Sequence, residues 1–333
     1  MAAERENWVN KNRTRLEEVI PLDMPFSISI DPCNFCNFKC EFCAAQTSER
    51  KVSYKKQMMS MELLKKIADD LKTTGKKLKI LRFAADGEPM LNPDLTEMIS
   101  YVRDSAIAEI IEIVTNGSCF RPKINDQIAA CGVDRIRISI EAVDAEGYMK
   151  IAHYKMDYEK FIKNIEDLYC KSRGKCEIYI KCVDASLETE EKKKKFYEIY
   201  ENICDKIFID NVIPLWSDFQ ELETKFEIKG AGLHGQKLQK IAVCPYPFYS
   251  CIIHPDGDVT VCCADWERKY IIGNVQRENF LSIWNGNKLK RLWIQHLEGK
   301  RAENELCAKC LLPEYDCNDN IDEWASQILK KLK

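Results

Sequence analysis

An α/β fold built on a parallel sheet is predicted by the regular alternation of apolar and amphipathic segments between residues 25 and 215. Six segments have the apolar, β-branched composition of buried strands, namely 25–30, 79–84, 110–114, 135–140, 177–183 and 206–211. Because helical stretches separate these segments, the strands are expected to pair in parallel, in an open sheet or a partial barrel. In both architectures, reactive groups gather in the loops at the carboxyl ends of the strands.

Local signals predict the helices between the strands. Ser60 is a good N-cap for a helix with apolar residues at helical spacing, and Gly75 ends it. Asn92 and Pro93 are expected to open the next helix. Further helices are predicted near 123–131, 158–172 and 188–203. The alternation stops near residue 212, which predicts an N-terminal extension (1–24), a main α/β domain (25–215), a connector (216–240) and a small second domain (241–333).

Composition excludes several classes of protein. The 333 residues carry a net charge of −3, and the only dense basic run, Lys192 to Lys195, follows several glutamates and is expected to be the solvated face of a helix and not a nucleic-acid-binding stripe. The charged N-terminus lacks the apolar core of a signal peptide, and no segment has the ~18–20 apolar residues of a membrane span. We therefore expect a cytoplasmic protein without a nucleic-acid or membrane partner.

Seventeen cysteines are unusual for such a protein. In a reducing compartment they are more readily explained by metal binding than by disulfides. Cys131, Cys170, Cys182 and Cys204 occur singly in apolar segments, so we expect them to be small core residues.

The segment DPCNFCNFKCEFC holds the first cysteine group, Cys36, Cys40 and Cys43, with three and two residues between its members. Three closely spaced thiolates suit an iron–sulfur cluster, whereas structural zinc usually takes four protein ligands. Three ligands would leave one iron open for a substrate or cofactor. Cys33 keeps an alternative open, since a fourth cysteine would give a closed zinc or electron-transfer site.

The pattern C-x3-C-x2-C, with Phe42 before the last cysteine, resembles the signature of the radical S-adenosylmethionine (SAM) superfamily. Gly87-Glu88-Pro89 resembles the family motif that receives the methionine amino group of SAM, with Asp86 in place of its first glycine. Asn116 ends the third strand, as is common in the family. The resemblance spans 25–215 and implies a partial (β/α)6 barrel whose [4Fe–4S] cluster binds SAM and generates a 5′-deoxyadenosyl radical.

The same resemblance implies further SAM contacts at the end of the fourth strand. Ser139 and Glu141 occupy positions that commonly meet the ribose and carboxylate of SAM. An arginine that often follows this strand is not evident here, and Arg137, His153 or Lys155 could replace it.

The tail resembles the auxiliary-cluster domains of SPASM and Twitch radical SAM proteins through HPDGDVTVCCADW, YIIGNV and SIWNG. This resemblance implies a second [4Fe–4S] cluster on a second cysteine group, Cys244, Cys262, Cys307 and Cys310. A zinc site on the same four residues is the alternative. Cys251, Cys263 and Cys317 remain unassigned: each could return a hydrogen atom to a substrate radical, or be buried core.

SPASM and Twitch relatives act either on peptides or on sugars and aminocyclitols. About 25 residues precede the first strand, which is short for a peptide-recognition domain. We therefore expect a small polar substrate, a carbohydrate or nucleotide sugar, that is oxidised, with epimerisation, peptide modification or a non-enzymatic scaffold as alternatives. The resemblance also implies an electron donor such as flavodoxin or ferredoxin.

Overall fold

A computed structural model describes residues 3–5, 13–43, 45, 52, 54–215 and 225–333. Residues 216–224 of the predicted connector and most of the first twelve residues therefore lie outside the described part. The first six strands are β1 (Ser27–Ile30), β2 (Leu78–Phe83), β3 (Ala108–Thr115), β4 (Arg135–Ile140), β5 (Glu177–Val183) and β6 (Lys206–Asp210). Each pairs in parallel with its neighbour in sequence. The predicted parallel sheet is thereby confirmed.

Three later strands extend this sheet beyond β1. They are β7 (Ser250–Ile253), β8 (Asp258–Thr260) and β9 (Ile271–Asn274). Strand β7 pairs in parallel with β1, and β8 and β9 follow in antiparallel order, giving a nine-stranded sheet within the described residues. The cysteine-rich tail thus continues the sheet of the main domain, while the domain boundaries themselves stay predictions.

The described helices follow the strands in a regular order. They are α1 (Leu16–Val19), α2 (Met61–Lys72), α3 (Leu95–Asp104), α4 (Pro122–Ala130), α5 (Ala145–Ala152), α6 (Tyr158–Ser172), α7 (Glu190–Tyr200), α8 (Tyr246–Tyr249), α9 (Phe280–Trp284), α10 (Asn287–Leu297), α11 (Leu312–Asp316) and α12 (Ala325–Leu332). Ser60 caps α2 as predicted, because its side chain accepts a hydrogen bond from the amide of Leu63 at 3.2 Å. No helix in the described ranges is long and apolar enough to span a membrane.

The two faces of the parallel sheet differ in chemistry because side chains alternate along each strand. One face is aliphatic and packs against the helices in a single hydrophobic core, which includes Ile28, Phe83 and Ile138. The opposite face, which we call the interior face, carries charged residues from β2 to β6. In the register Ser29 pairs with Arg82, Arg82 with Glu112 and Glu112 with Arg135, so these four side chains form one row on it.

Two local predictions were wrong. Helix α3 begins at Leu95, two residues after the predicted start: the Asn92 side chain accepts from the Asp94 amide at 3.0 Å and donates to the carbonyls of Pro32 and Met59 at 2.9 and 3.0 Å. Cys170 is exposed on α6, whereas Cys131, Cys182 and Cys204 are buried in the core as predicted. Helix α5 was not predicted, and its Asp144 cap accepts from the Gly147 amide at 2.8 Å.

Candidate functional site

The first cysteine group lies in the loop that follows β1, at the carboxyl edge of the sheet. The loop is held by Phe38, which is buried against the rings of Tyr148 and Tyr154. Its sulfur atoms have polar neighbours: Cys36 Sγ accepts from the Phe38 amide at 3.3 Å and from Asn116 Nδ2 at 3.6 Å. Asn116, predicted to shape the SAM pocket, therefore contacts a predicted cluster ligand directly.

Gly87 lies against the backbone of the cysteine loop. A Cβ atom at this position would come within 2.1 Å of the Cys33 carbonyl oxygen and 2.4 Å of the Phe35 carbonyl oxygen. The adjacent Glu88 amide donates to the same Phe35 oxygen at 3.0 Å. Glycine is required here because two backbone segments approach more closely than any side chain permits.

The Glu88 side chain ties the ends of β2 and β3 together. Its carboxylate accepts from the Met90 amide at 2.9 Å, the Thr115 hydroxyl at 2.6 Å and the Asn116 amide at 2.7 Å. Burial nevertheless raises its pKa to about 7. Because both carboxylate oxygens of Glu88 are hydrogen-bonded within the protein, this side chain holds the loop in place. The backbone atoms of the Gly87-Glu88-Pro89 motif are therefore the groups available to bind a ligand.

The remaining predicted SAM contacts lie around the same edge. Pro89 begins a short 3₁₀ turn at Pro89–Leu91. Ser139 is half-buried near the end of β4, and Glu141 follows that strand. Burial raises the pKa of Glu141 to about 7, and its carboxylate lies close enough to raise the pKa of Cys40 as well.

The three candidates for the missing arginine occupy different places. Arg137 lies on the interior face, where Nη2 donates to Glu112 at 2.9 Å. His153 is exposed and pairs with Glu41 of the cysteine loop, and Lys155 is exposed. Of the three, His153 is the one that contacts the loop.

Cys33 is set apart from the first cysteine group. Its thiol donates to the Phe35 carbonyl at 3.3 Å, and the charged groups that raise its pKa are Asp31, Glu88 and Cys119, after burial itself. By contrast, the thiols of the first cysteine group affect one another's pKa. Burial raises the pKa of Cys36 to about 12, so that a bare thiol stays protonated and cationic iron is needed to form the thiolate.

The second cysteine group lines one cavity. Its four members come from the segment before α8, the loop after β8 and the turn at 305–310, and they face Pro247, Val261, Ala264 and Leu312. Burial raises the pKa of Cys244, and the thiols of Cys317, Cys310 and Cys307 raise it further. A closed, apolar cavity with four thiols fits an iron–sulfur cluster held by four cysteines.

Two polar side chains, those of His296 and Arg301, also line this cavity. His296 of α10 is fully buried, and burial lowers its pKa to about 4, so the ring is neutral and retains one N–H group. Arg301 also lines the cavity, and its Nη1 donates to the carbonyl oxygens of Cys307 and Cys310 at 3.4 and 3.0 Å.

The sulfur spacing argues against a single zinc ion at either group. Four sulfurs bound to one zinc lie about 3.8 Å apart, given Zn–S bonds of about 2.3 Å. Among the described residues, only Asp31, Asp86 and His254 bring three ligand atoms within 4.8 Å of one another. Neither cysteine group does so, which fits a cluster whose separate irons hold the sulfurs further apart.

The two cysteine groups lie at opposite edges of the sheet. The first follows β1, whereas Cys244 precedes β7, the parallel neighbour of β1. Cys262 follows β8, which runs antiparallel to β7 and so ends at the same edge as Cys244. The interior face, about 13 Å long at β1 for a rise of about 3.3 Å per residue, extends between them.

A charge network occupies this interior face. Glu112 is fully buried and accepts hydrogen bonds from Arg82 at 2.5 Å, Arg137 at 2.9 Å and Arg135 at 3.3 Å. Burial would raise the pKa of Glu112, but the three guanidinium groups lower it to about 2. Arg135 also pairs with Glu177 at 3.3 Å, so three arginines face two carboxylates and the network keeps one net positive charge.

Further charged groups line the same face near β5 and β6. Lys181 lies 3.8 Å from Asp210, whose other oxygen contacts His234 Nδ1 at 2.7 Å. His234 Nε2 is 3.8 Å from Asp316, and burial raises the pKa of that carboxyl.

The three unassigned cysteines have very different surroundings. Cys263 is exposed, and its pKa is lowered by a hydrogen bond with Cys262 and by Arg82 of the interior face. Cys251 is 2% exposed on β7 and packs in the core beside the helices, a placement that argues against contact with a substrate. Cys317 donates to the Asp319 carbonyl at 3.1 Å, and burial raises its pKa to about 12.

Sequence reasoning missed most of the interior face and His296. The signal for the face was present in each strand, since parallel strands buried on both faces are normally continuous apolar runs. KILRFA, IIEIV, RIRISI and EIYIKCV each place charged residues inside such a run. His296 carries no comparable signal, because a single histidine on an amphipathic helix is normally interpreted as a surface residue.

Comparisons with known proteins agree with this geometry. Residues 30–175 match the radical SAM superfamily model, and residues 244–311 match the SPASM model, described as an iron–sulfur cluster-binding domain. The "Probable GTP 3',8-cyclase" of Methanococcus maripaludis is 33% identical over 126 residues, 38% of this chain and 39% of the relative. The chain thus spans well under half of that relative's length.

Solved structures share the fold over most of the chain. SuiB of Streptococcus suis bound to S-adenosylmethionine has a TM-score of 0.63 at 16% identity, covering 92% of this chain and 76% of SuiB. BtrN in complex with AdoMet and 2-DOIA has a TM-score of 0.55 at 17% identity, covering 86% of this chain and 93% of BtrN. With its cysteine loop, its parallel sheet and both family matches, this chain is a member of the radical SAM superfamily that carries a SPASM-type iron–sulfur domain.

Proposed function

We propose that this chain is a radical SAM enzyme that oxidises a small polar substrate, a carbohydrate or a nucleotide sugar, held against the interior face. The observation that carries the proposal is the charged interior face between two cysteine groups at opposite edges of one sheet. When bound, a reduced cluster with SAM supplies a 5′-deoxyadenosyl radical on the first group, and the second group holds an electron acceptor. The radical would take one hydrogen atom from the substrate, giving 5′-deoxyadenosine; the second hydrogen would leave as a proton, and its electron would pass to the acceptor on the second group.

The chain's own residues support binding of SAM at the carboxyl edge. Gly87 leaves the Cys33 and Phe35 carbonyls close to the motif backbone, and Glu88 holds that backbone to β3. Asn116 orients the Cys36 sulfur. These residues position the cofactor, while Ser139 and Glu141 line the same edge.

The polar character of the interior face favours a small polar substrate such as a carbohydrate or a nucleotide sugar. Guanidinium and ammonium groups donate hydrogen bonds to hydroxyl and phosphate oxygens. Lys181 is partly exposed and is held by Asp210 at 3.8 Å, which leaves donor capacity for a ligand. BtrN, whose complex contains 2-DOIA with AdoMet, supports a small substrate by its similarity over 93% of its length.

The test is product analysis with a panel of sugars, nucleotide sugars and aminocyclitols under reducing, anaerobic conditions with SAM. We expect one panel member to yield a product two mass units lighter. Lys181→Met should lower product formation at least tenfold while SAM cleavage without substrate continues. Lys194→Met, on the exposed face of α7, is the matched control and should behave as wild type. Equal activity of both variants would remove Lys181 from the substrate site.

Epimerisation is the second candidate, and the exposed thiol of Cys263 beside Arg82 favours it. A thiol donor would return hydrogen to the opposite face of the carbon, and in D2O it would leave deuterium there. Cys263→Ala should abolish inversion but retain SAM cleavage, whereas Cys170→Ala, another exposed cysteine, should change neither. A product of unchanged mass without deuterium would exclude this candidate.

A further inference from the structure

A buried group of three side chains lies outside both cysteine groups. Asp31 follows β1, Asp86 follows β2 and His254 follows β7, so all three lie at the carboxyl edge of the sheet. One carboxylate oxygen from each aspartate and one ring nitrogen of His254 lie within 4.8 Å of one another. Asp31 is 0% exposed and His254 is 1% exposed.

Several buried polar atoms of this group lack hydrogen-bond partners among the described residues. Neither carboxylate oxygen of Asp31 has a hydrogen-bond partner among the described residues, and the same is true of His254 Nδ1. The ring orientation is fixed, because His254 Nε2 lies 2.9 Å from the Thr260 hydroxyl and directs Nδ1 at the carboxylates. Burying a carboxylate without a hydrogen-bond or charge partner costs free energy, so we expect a positively charged group or ion between these side chains.

The distances distinguish between a proton and a metal ion. His254 Nδ1 lies 3.4 Å from Asp86 Oδ2 and 3.6 Å from Asp31 Oδ2. An N–H···O hydrogen bond is normally 2.7–3.2 Å long. Ligands at about 2.1 Å from one ion in tetrahedral geometry lie about 3.4 Å apart. The observed separations therefore match ligand atoms around a shared ion better than direct hydrogen bonds.

The surrounding charges leave room for a cation. Arg268 Nη2 lies 3.7 Å from Asp86, and the guanidinium is also held by Asp256 at 2.6 Å and by the Tyr54 ring at 3.8 Å. Arg268 is paired with Asp256, and neither carboxylate oxygen of Asp31 accepts a hydrogen bond from it. A proton on His254 is the competing occupant: burial lowers the pKa of His254, but the carboxylates outweigh burial and raise it to about 9.

We propose that Asp31, Asp86 and His254 bind one divalent first-row metal ion. One imidazole and two carboxylates suit Mn²⁺ or Zn²⁺, since nitrogen and hard oxygen ligands are combined. The ion would join the strand that leads to the first cysteine group, the loop that contains Gly87, and the β7–β8 hairpin. It would stabilise the carboxyl edge without taking part in either iron–sulfur site.

Mn²⁺ binding to the cluster-loaded protein tests this directly. The anaerobic protein is treated briefly with a chelator, desalted and titrated with Mn²⁺, and free Mn²⁺ is counted from its EPR signal. We expect one bound Mn²⁺ per chain, with iron and sulfide unchanged. Asp31→Asn and His254→Gln should each weaken binding by about tenfold or more, because a direct ligand is lost and even the loss of an outer-shell partner costs about 10–100-fold.

Asp104→Asn is the control variant, because this carboxylate is exposed at the end of α3 and is not among the three converging ligands. It should bind Mn²⁺ like the wild type. Absence of a stoichiometric Mn²⁺ site in the wild type, together with no manganese or zinc in the purified protein, would overturn the proposal. So would wild-type affinity in Asp31→Asn with normal iron content.

Discussion

Replacing Gly87 by alanine tests how the cysteine loop is positioned. The new Cβ would lie 2.1 Å from the Cys33 oxygen, 2.4 Å from the Phe35 oxygen and 2.5 Å from the Phe35 nitrogen. Real Cβ contacts essentially never fall below 3.0 Å, so the nearest atom must move by at least 0.9 Å (3.0 minus 2.1). All three atoms belong to the backbone, which cannot rotate aside as a flexible side chain can.

The expected cost follows from this displacement. Overpacking typically destabilises by about 1–3 kcal/mol, and moving the loop also strains the bond from the Glu88 amide to the Phe35 oxygen. Because 1 kcal/mol shifts the midpoint by about 2–4 °C at 150–250 residues and by less in a longer chain, the unfolding midpoint should fall by roughly 2–12 °C at most. Because Phe35 adjoins Cys36, SAM affinity and iron retention should fall as well.

Gly230→Ala provides the matched control, since a Cβ there meets no atom within 4 Å. Thermal unfolding, iron analysis and equilibrium binding of SAM should be measured on both variants after identical anaerobic reconstitution. The control should match the wild type in all three. If Gly87→Ala also matches the wild type, the contact between the motif and the cysteine loop does not hold as described.

Three further predictions concern the cysteine groups and the interior face. Replacing all three members of the first cysteine group by alanine should reduce bound iron from about eight to about four atoms per chain, measured by iron and sulfide analysis. Glu112→Gln should destabilise by about 3 kcal/mol in chemical unfolding at pH 7, because the buried Arg137 and the half-buried Arg82 lose their carboxylate, while Arg135 keeps Glu177. With its folded pKa lowered to about 2, wild-type Glu112 contributes stability above pH ~4.3 that is lost as the pH falls towards 2, and the variant should lack this loss. His296→Leu should lower the reduction potential of the auxiliary cluster by about 40–60 mV, because one N–H hydrogen bond of about 1–1.5 kcal/mol to the cluster is lost. An EPR redox titration measures this shift. An unchanged potential would show that the His296 ring does not contact the cluster.

The strands could be predicted from sequence because each is a short apolar run between helical segments. β4 and β5 have the predicted bounds, and the others differ by one to three residues at their ends. The cap of α2 was equally local, since Ser60 and the Leu63 amide are three residues apart. The start of α3 was placed two residues too early, and the contacts of the Asn92 amide with Pro32 and Met59 could not be read from neighbouring residues.

The site was only partly predictable, again because several of its contacts join residues that are distant in sequence. Spacing indicated the first cysteine group and the family resemblance implied the second, but neither could separate Cys33 from the first group, which depends on the direction of one side chain. The pairing of β7 with β1 could not be read from the sequence, because more than 200 residues separate these strands. That pairing places His254 beside Asp31 and Asp86, and it sets the two cysteine groups at opposite edges.

Reductive cleavage of SAM is the most direct test of the central claim. The reconstituted protein should be incubated anaerobically with SAM and dithionite, and 5′-deoxyadenosine should be quantified by liquid chromatography and mass spectrometry. The account predicts 5′-deoxyadenosine from the wild type and none above background from the variant that lacks the first cysteine group. Failure of a wild-type preparation with about eight irons per chain to form 5′-deoxyadenosine would contradict it.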